Sequence, residues 1–587
     1  MQTFKKLFFL LNPHEKKHAG LLLLMIIIMA LLDAIGVASI MPFMAVLTNP
    51  GLIETNLILN KMFQALSIFG VENNQQFLFF VGSLVLLLLL ISLAFKALTS
   101  YAQIRFGQMR QYSISKRLME GYLNEPYSWS LNKNSSEIGK NILDEVGVVV
   151  GLGIGEALQF IAKGCITISL IFLLILADPK LALLVGFTLC GLYGFIYYLL
   201  RNNLIRIGKE RYKNNELRFK IISEAFNATR DIKVAGLEQI YTKRYSNCAH
   251  TYAKTSSHAE IIKQLPRFLL EALVFGGIML IMLYLIGKTG SLNNALPILS
   301  LYVFAGYRLM PAVQVVYASS TQLSFAGPSI NKLYDDIKSL KPFEENQDLS
   351  TLALNKSINL KNIHFNYPNA SRTALKDINL SIPAKSKVGI VGTTGSGKST
   401  TVDIILGLLE PQKGTLEVDG KIITKQNSRS WQRSIGYVPQ SIFLSDDTVA
   451  ANIAFGIESK DINQEAVEKA SKIANLHEFV TDELPKKYQT TIGERGVRLS
   501  GGQRQRIGVA RALYHNPQVL ILDEATSALD NQTEQAVMDA INNLSKDITI
   551  VLIAHRLNTV KDCDTIFKLE KGNLVDQGTY DELISTN

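Results

Sequence analysis

Apolar runs long enough to cross a bilayer constrain this chain more than any motif does. About residues 19–47, 77–98, 155–177, 181–200, 268–287 and 295–318 form six such runs. A helix rises about 1.5 Å per residue, so about 20 apolar residues cross the hydrocarbon. In lipid each backbone N–H and C=O must find its partner inside its own segment, which leaves helices as the fold for runs of this kind. From about residue 320 onward the chain instead carries the mixed charge of a soluble α/β domain. At 587 residues it is too long for one core. Its mean hydropathy of +0.17 averages two kinds of polypeptide.

The charge pattern sets an orientation. The formal net charge is +10, but many basic residues flank the apolar runs, so the positive-inside rule accounts for them and nucleic acid is not the expected partner. Lys5, Lys6, Lys16 and Lys17 precede the first run, and residues 201–267 are crowded with Arg201, Arg206, Lys209, Arg211, Lys213, Arg218 and Lys220. Residues 48–76 are nearly free of Lys and Arg. The amino terminus and the long polar connections 99–154 and 201–267 are therefore expected in the cytoplasm, together with the carboxy-terminal half. The first run is too long for a signal-peptide core and lacks a small-x-small cleavage site, so it reads as a retained span. Cys165, Cys190, Cys248 and Cys563 show no metal-ligand spacing and read as free thiols.

Smaller features have local readings. Asp178-Pro179-Lys180 makes a tight hairpin between the third and fourth spans. Gly151-Leu-Gly-Ile-Gly155 lacks the strand that a dinucleotide fingerprint needs, which leaves close helix packing. Residues 52–71 fit a short amphipathic helix on the outer surface or an ordinary packed loop. The expected division is a transmembrane domain over 1–325, a linker over 326–345 and an α/β domain over 346–587.

In the second half, residues 357–367, 375–382 and 386–391 read as strands and 398–409 as a helix. Between the last two lies Gly392-Thr-Thr-Gly-Ser-Gly-Lys-Ser399. Glycines let backbone N–H groups approach phosphates, and the helix amino terminus adds partial positive charge. Lys398 is placed to reach the β- and γ-phosphates of ATP and Ser399 to ligate Mg2+. Gln518–Leu522 is a strand ending in Asp523 and Glu524, where one carboxylate can hold Mg2+ and the next can polarise the attacking water. Ile548–Ile553 ends near His555, which stands within reach of a γ-phosphate.

These motifs, with Leu499-Ser-Gly-Gly-Gln503 between them, resemble the ATP-binding-cassette exporter half-transporters. The resemblance implies a multidomain fold: a six-helix α transmembrane domain of the type I exporter (type IV) kind, followed by an α/β P-loop cassette. It implies that Tyr367 stacks on adenine and that Gly392, Thr393, Thr394, Gly395, Ser396, Gly397, Lys398, Ser399 and Thr400 bind ATP. It gives catalytic roles to Glu524, His555 and Gln440, and metal-holding roles to Ser399, Gln440 and Asp523. Ser527–Asp530 matches the D-loop, and Thr491–Arg495 the loop that touches the membrane domain. Ser500, Gly501, Gly502 and Gln503 precede a helix expected near Gln503, offering a second helix-terminus phosphate site. In the family that site serves the partner's ATP. A homodimer is the simplest solution, with a heterodimer as the alternative. Coupling segments are expected near 131–140 and 232–243, with Asp231–Glu238 reading as a break followed by a short helix.

The membrane half resembles bacterial flippases of lipid-linked oligosaccharides through Leu31–Phe43, the segment 52–71 and Glu125-Pro-Tyr-Ser-Trp129. That resemblance implies a bacterial inner-membrane protein moving a polyprenyl-pyrophosphate-linked glycan between leaflets. An anionic head group needs cations, and Lys96, Lys163, Arg267 and Arg308 lie in or at the ends of spans. Lys96 and Arg267 can instead snorkel to the interface. Arg308 is the most interior, and Asp33 either lines the pathway or pairs with a basic residue. Export of a lipid, peptide or drug, and a non-transporting regulatory ATPase, are the other readings.

Overall fold

The apolar runs fold as helices, and those helices extend well past them. The computed structural model describes residues 2–585 apart from 49, 56, 68–72, 178, 290–291, 341–349, 369–371, 494–495, 525–530, 545–546 and 556. Its contacts divide the chain into Met1–Glu125 with Lys133–Phe343, and Pro126–Asn132 with Glu344–Asn587. The first unit contains no strand among its described residues.

Its chain begins with α1 (Gln2–Leu10), α2 (Pro13–Ala38), α3 (Ile40–Thr48), α4 (Leu52–Thr55), α5 (Leu57–Ser67) and α6 (Asn74–Asn124). Pro13 opens α2, where a missing N–H costs nothing. Glu15 accepts from Asn12 N at 2.8 Å and pairs with Arg110 of α6 at 2.5 Å, fixing that entry. α4 and α5 place helix on residues 52–55 and 57–67, while 68–71 lie outside the described residues. α7 (Tyr127–Ser130) falls in the second unit, although the sequence places it in the transmembrane domain.

α8 (Ser135–Lys140) leads into wide π turns at Asn141–Glu145 and Val149–Gly155, around α9 (Val146–Val148). The glycine run expected to pack closely lies in the second of these. A Cβ on Gly153 would sit 3.1 Å from Leu7 and 3.4 Å from Ile330, which accounts for the small residue there. α10 (Glu156–Ala177), α11 (Pro179–Asn227), α12 (Thr229–Ala235), α13 (Glu238–Thr289) and α14 (Leu292–Ser339) complete the unit. Two expectations change here. Residues 326–339 of the expected linker continue α14, which runs through Gly327-Pro328 to Ser339. The short helix comes before the break rather than after it: α12 ends at Gly236, whose φ of 64° lies in the left-handed region that glycine adopts without penalty.

Among the described residues, three stretches are long and apolar enough to cross a membrane: Pro13–Leu47, Asn74–Asn124 and Ser135–Leu176. The other expected spans fall on α11, α13 and α14, which are helical along their described backbone. Ile26 and Met29 of α2, Ile166 and Leu170 of α10, and Ala305 and Leu309 of α14 share one core. Outward the surface stays apolar. Phe79 is 80% and Phe187 82% exposed, which suits lipid rather than water.

The polar extensions of these helices carry a buried network. Arg211 of α11 donates to Glu145 Oε2 at 2.8 Å and to Ser329 Oγ of α14 at 2.7 Å. Asn215 donates to Glu145 Oε1 at 2.9 Å and Asp144 Oδ2 at 2.6 Å. Tyr122 of α6 donates to Asp336 of α14 at 2.8 Å, and Asn141 reaches the same carboxylate at 3.2 Å.

In the second unit, β1 (Ser357–Phe365), β2 (Leu375–Pro383), β4 (Lys413–Val418) and β5 (Lys421–Ile422) form an antiparallel sheet in the order β2-β1-β4-β5. The six-stranded sheet orders β10-β9-β3-β8-β7-β6, from β3 (Lys387–Gly392), β6 (Ile435–Val438), β7 (Val519–Asp523), β8 (Thr549–Ala554), β9 (Thr565–Glu570) and β10 (Asn573–Gly578). All pairs are parallel except β10 with β9. Central strands buried on both faces read as continuous apolar runs, and β8 is buried at every position. Helices α15 (Lys398–Ile405), α16 (Ser428–Gln432), α17 (Val449–Ile453), α18 (Gln464–Ile473), α19 (Gly501–Leu513), α20 (Asn531–Leu544) and α21 (Tyr580–Ser585) cover the sheets. Trp431 is fully buried, its indole donating to Ile405 O at 2.7 Å.

Candidate nucleotide site

Strand register gathers the predicted residues at one edge. β3 pairs with β8 so that Val391 faces Ala554, and β7 with β8 so that Asp523 faces Ile553. The residues just beyond each strand (the loop after Gly392, Glu524 and His555) therefore emerge together at the carboxyl ends, where open α/β sheets bind ligands.

The loop depends on its glycines. Gly397 has φ 105°, and a Cβ there would lie 2.7 Å from Leu375 Cδ2 and 3.1 Å from Ala374 O. A Cβ on Gly392 would lie 2.3 Å from Leu569 O. Neither position has room for a side chain. Lys398 is 7% exposed, and its ammonium donates to Gly392 O at 2.7 Å and Thr393 O at 3.4 Å. Burial lowers its pKa, against the opposing pull of Glu524 and Asp523. Ser396 Oγ is buried without a partner among the described residues, as fits a hydroxyl lining a phosphate cradle. Thr400 Oγ1 lies 3.1 Å from Tyr367 OH, and the Tyr367 ring meets Phe365 edge-on at 5.1 Å. Thr393, Thr394, Gly395 and Ser399 are exposed around the loop.

Glu524 is the centre of the constellation. Gln440 Nε2 donates to its Oε2 at 2.8 Å, and His555 Nε2 lies 2.5 Å from its Oε1. Lys398 Nζ lies 3.5 Å from His555 Nδ1. Glu524 has φ 49°, which is strained for a residue with a side chain, and its N–H bonds Ile553 O at 3.2 Å. Four residues named from separate motifs are thus linked by direct contacts. Asp523 beside them has its pKa raised, first by burial and then by the like charge of Glu524. Two adjacent carboxylates fit a divalent cation, with Ser399 and Gln440 as further oxygen donors.

Ser500 caps α19, which begins at Gly501 rather than near Gln503: its Oγ accepts from Gln503 N at 3.2 Å, and its N–H donates to Gln503 Oε1 at 2.8 Å. Both hydrogen bonds are internal to the cap. Ser527–Asp530, Glu494 and Arg495 lie outside the described residues. Asp403 on α15 carries no motif signal. Burial, then Asp523, pushes its carboxyl up to about 6.

The substrate candidates are more scattered. Arg308 pairs with Asp33, the pairing alternative raised for that carboxylate, and Ser92 Oγ donates to Asp33 at 3.4 Å. Arg267 pairs with Glu271 one turn along α13 at 2.7 Å and is 55% exposed. Lys96 has no ion pair among the described residues.

Comparison with known proteins follows the same division. A family model described as ABC transporter matches residues 375–527, and one described as ABC transporter transmembrane region matches 21–308. An "ATP-dependent lipid A-core flippase" of Methylobacillus flagellatus is 32% identical over 366 residues, covering 62% of this chain and 61% of that protein. The mitochondrial "ATP-binding cassette sub-family B member 10" of Mus musculus is 41% identical over 246 residues, 41% of this chain and 34% of that one. The chain thus matches about three fifths of the first relative's length and a third of the second's. The solved structure of a bacterial Atm1-family ABC exporter with ATP bound superposes with TM-score 0.78 at 23% identity, covering 96% and 95% of the two chains. That likeness carries the fold.

Proposed function

We propose, for a chain that belongs to the ABC transporter family by the matches to its transmembrane region and its cassette, that it hydrolyses ATP to move an amphipathic substrate across a bilayer. The observation that carries the reading is Glu524 held between Gln440 and His555 beside Lys398.

Glu524 polarises the attacking water, and Gln440 and His555 fix its two oxygens for that task. Lys398 leaves the carbonyls of Gly392 and Thr393 to reach the phosphates, exchanging neutral acceptors for anionic ones. Tyr367 stacks on the adenine. Ser399, Asp523 and Gln440 would hold Mg2+, which when bound would neutralise phosphate charge. The Ser500–Gln503 cap of a second copy closes each site, which makes the working form a homodimer.

The cargo we infer is a lipid with an anionic head, most specifically a polyprenyl-pyrophosphate-linked oligosaccharide carried from the inner to the outer leaflet of a bacterial inner membrane. Support comes from the charged residues inside the spans and from relatives named as flippases. The name of the Methylobacillus relative favours lipid A-core as the second reading. Full-length protein in liposomes holding each labelled lipid decides between them. ATP-dependent appearance of the glycan lipid in the opposite leaflet is expected. Movement of the lipid A-type substrate alone would replace the first cargo by the second, and ATP hydrolysis with neither moved would refute the lipid reading.

A further inference from the structure

Helix α19 starts at the Ser500 cap and then packs against the loop that carries Gln440. A Cβ on Gly508 would lie 2.3 Å from Ile442 Cδ1 and 2.9 Å from its Cγ1, so glycine is what lets that side chain seat on the helix. Glycine inside a helix is destabilising, and close approach is the reason to keep one. Arg511 stands three residues on, along the same face. Its Nη1 donates to Phe443 O at 2.8 Å, its Nε to Asn452 O at 2.8 Å and its Nη2 to Asn452 Oδ1 at 3.3 Å. The Phe455 ring lies against the guanidinium, its centroid 4.6 Å away. All three acceptors are neutral carbonyl oxygens, and burial pushes the Arg511 pKa down to about 10. Holding a cation there is costly. What it supplies is geometric: a planar fork that grips two segments at once. Asn452 of α17 is fully buried, and its Oδ1 accepts from Ser445 N at 3.0 Å while its Nδ2 donates to Ser445 O at 3.0 Å. The chain just after Gln440 is thereby fixed at Ile442, Phe443 and Ser445, and Gln440 itself donates to Glu524 Oε2 at 2.8 Å.

We propose that Gly508 and Arg511 are positioning residues for ATP hydrolysis, which hold the loop so that Gln440 reaches Glu524. The proposal rests on the hydrolysis reading above and adds to it the part that aims Gln440. Lysine at 511 keeps the charge but has no fork, so it satisfies Phe443 or Asn452 without holding the two together. A methyl at 508 pushes Ile442, two residues after Gln440, off the helix. Misplacing a group that orients the reacting atoms by about 1 Å can cost about a hundredfold in rate. A slackened loop therefore slows the chemistry and leaves nucleotide binding in place.

Full-length protein in nanodiscs is assayed for steady-state ATP hydrolysis, with ATP binding measured by equilibrium dialysis. Wild type, Arg511→Lys and Gly508→Ala are compared, each also in a Gln440→Ala background. Arg511→Lys and Gly508→Ala should each lower kcat about tenfold or more while ATP affinity stays within about twofold of wild type. Adding Ile442→Ala makes room for the methyl and should restore kcat to Gly508→Ala. In the Gln440→Ala background neither substitution should slow hydrolysis further, because the group they aim is gone. A merely structural role gives the opposite result, the same factor lost with Gln440 or without it. That additive loss overturns the proposal, as does wild-type kcat in folded Arg511→Lys and Gly508→Ala, or a fall in ATP affinity as large as the fall in kcat. Should Arg511→Lys not fold, Gly508→Ala with and without Gln440→Ala decides alone. Failure of the hydrolysis reading looks different: the wild type itself then turns over no ATP, whereas failure of the positioning role leaves wild-type turnover normal.

Discussion

Removing Arg308 tests how the first unit is held together. Its partner Asp33 is 3% exposed, and its remaining hydrogen bond, from Ser92 at 3.4 Å, is long. Breaking a buried pair from one side strands a charge and costs about 3–5 kcal/mol, whereas replacing both members with apolar side chains is about neutral. Lys163 is the next cation in reach of Asp33, so it relieves part of the loss and places Arg308→Met at the lower end. At about 2–4 °C per kcal/mol, Arg308→Met should lose about 6–12 °C of thermal midpoint. Arg308→Met/Lys163→Gln should lose more, and Asp33→Leu/Arg308→Met should return to within a few degrees of wild type. The assay is the monodisperse fraction surviving a heating series in detergent, at one heating rate because unfolding of such proteins is irreversible. The reasoning fails if Arg308→Met is as stable as wild type, or if the double replacement is as unstable as the single one.

Glu524→Gln keeps the shape of the side chain but removes the base, so steady-state hydrolysis should slow about a hundredfold or more while ATP binding by equilibrium dialysis persists. Lys398→Ala removes the cation facing the phosphates, and nucleotide affinity or turnover should collapse in a chain whose membrane unit still folds, read by size exclusion and ATPase assay. Gly397→Ala meets Leu375 at 2.7 Å in a left-handed backbone and should distort the loop by about 1–3 kcal/mol, seen as weakened nucleotide binding. Asp403 has a folded pKa of about 6 against an ordinary 3.8, so folding takes up its proton. Its contribution is therefore fully present below about pH 4 and lost as pH rises through about 6. Asp403→Asn should remove that slope, and identical pH profiles for the two proteins would contradict the burial argument.

The cassette was largely legible because its chemistry is local. Phosphate binding needs glycines, a lysine and a helix start within a few residues, and the strands that carry Asp523 and His555 are short apolar runs with sharp ends. Pairing was left open: the sequence offers Asp33 and Arg308 either the substrate path or each other, and the fold joins them across 275 positions. Apolar periodicity locates a span without fixing which side of it meets which neighbour. α14 runs past residue 326 for a related reason: a composition shift marks where lipid ends, not where a helix does. Asp403 escaped because its raised pKa comes from burial and from Asp523 on β7, not from any motif.

The Arg211–Glu145–Ser329 and Tyr122–Asp336 bonds carry a consequence for biosynthesis. Ser329 and Asp336 belong to the last helix of the first unit to leave the ribosome, so the clasp stays open through translation of all the others. Until then Glu145 and Arg211 have each other but lack the hydroxyl that completes them, and Tyr122 lacks its carboxylate. A nascent chain halted before residue 329 displays unmet polar groups on helices meant to be packed, a surface that proteolysis can recognise. Synthesis of α14 supplies the missing partners, so closure of the clasp reports that α14 is in place.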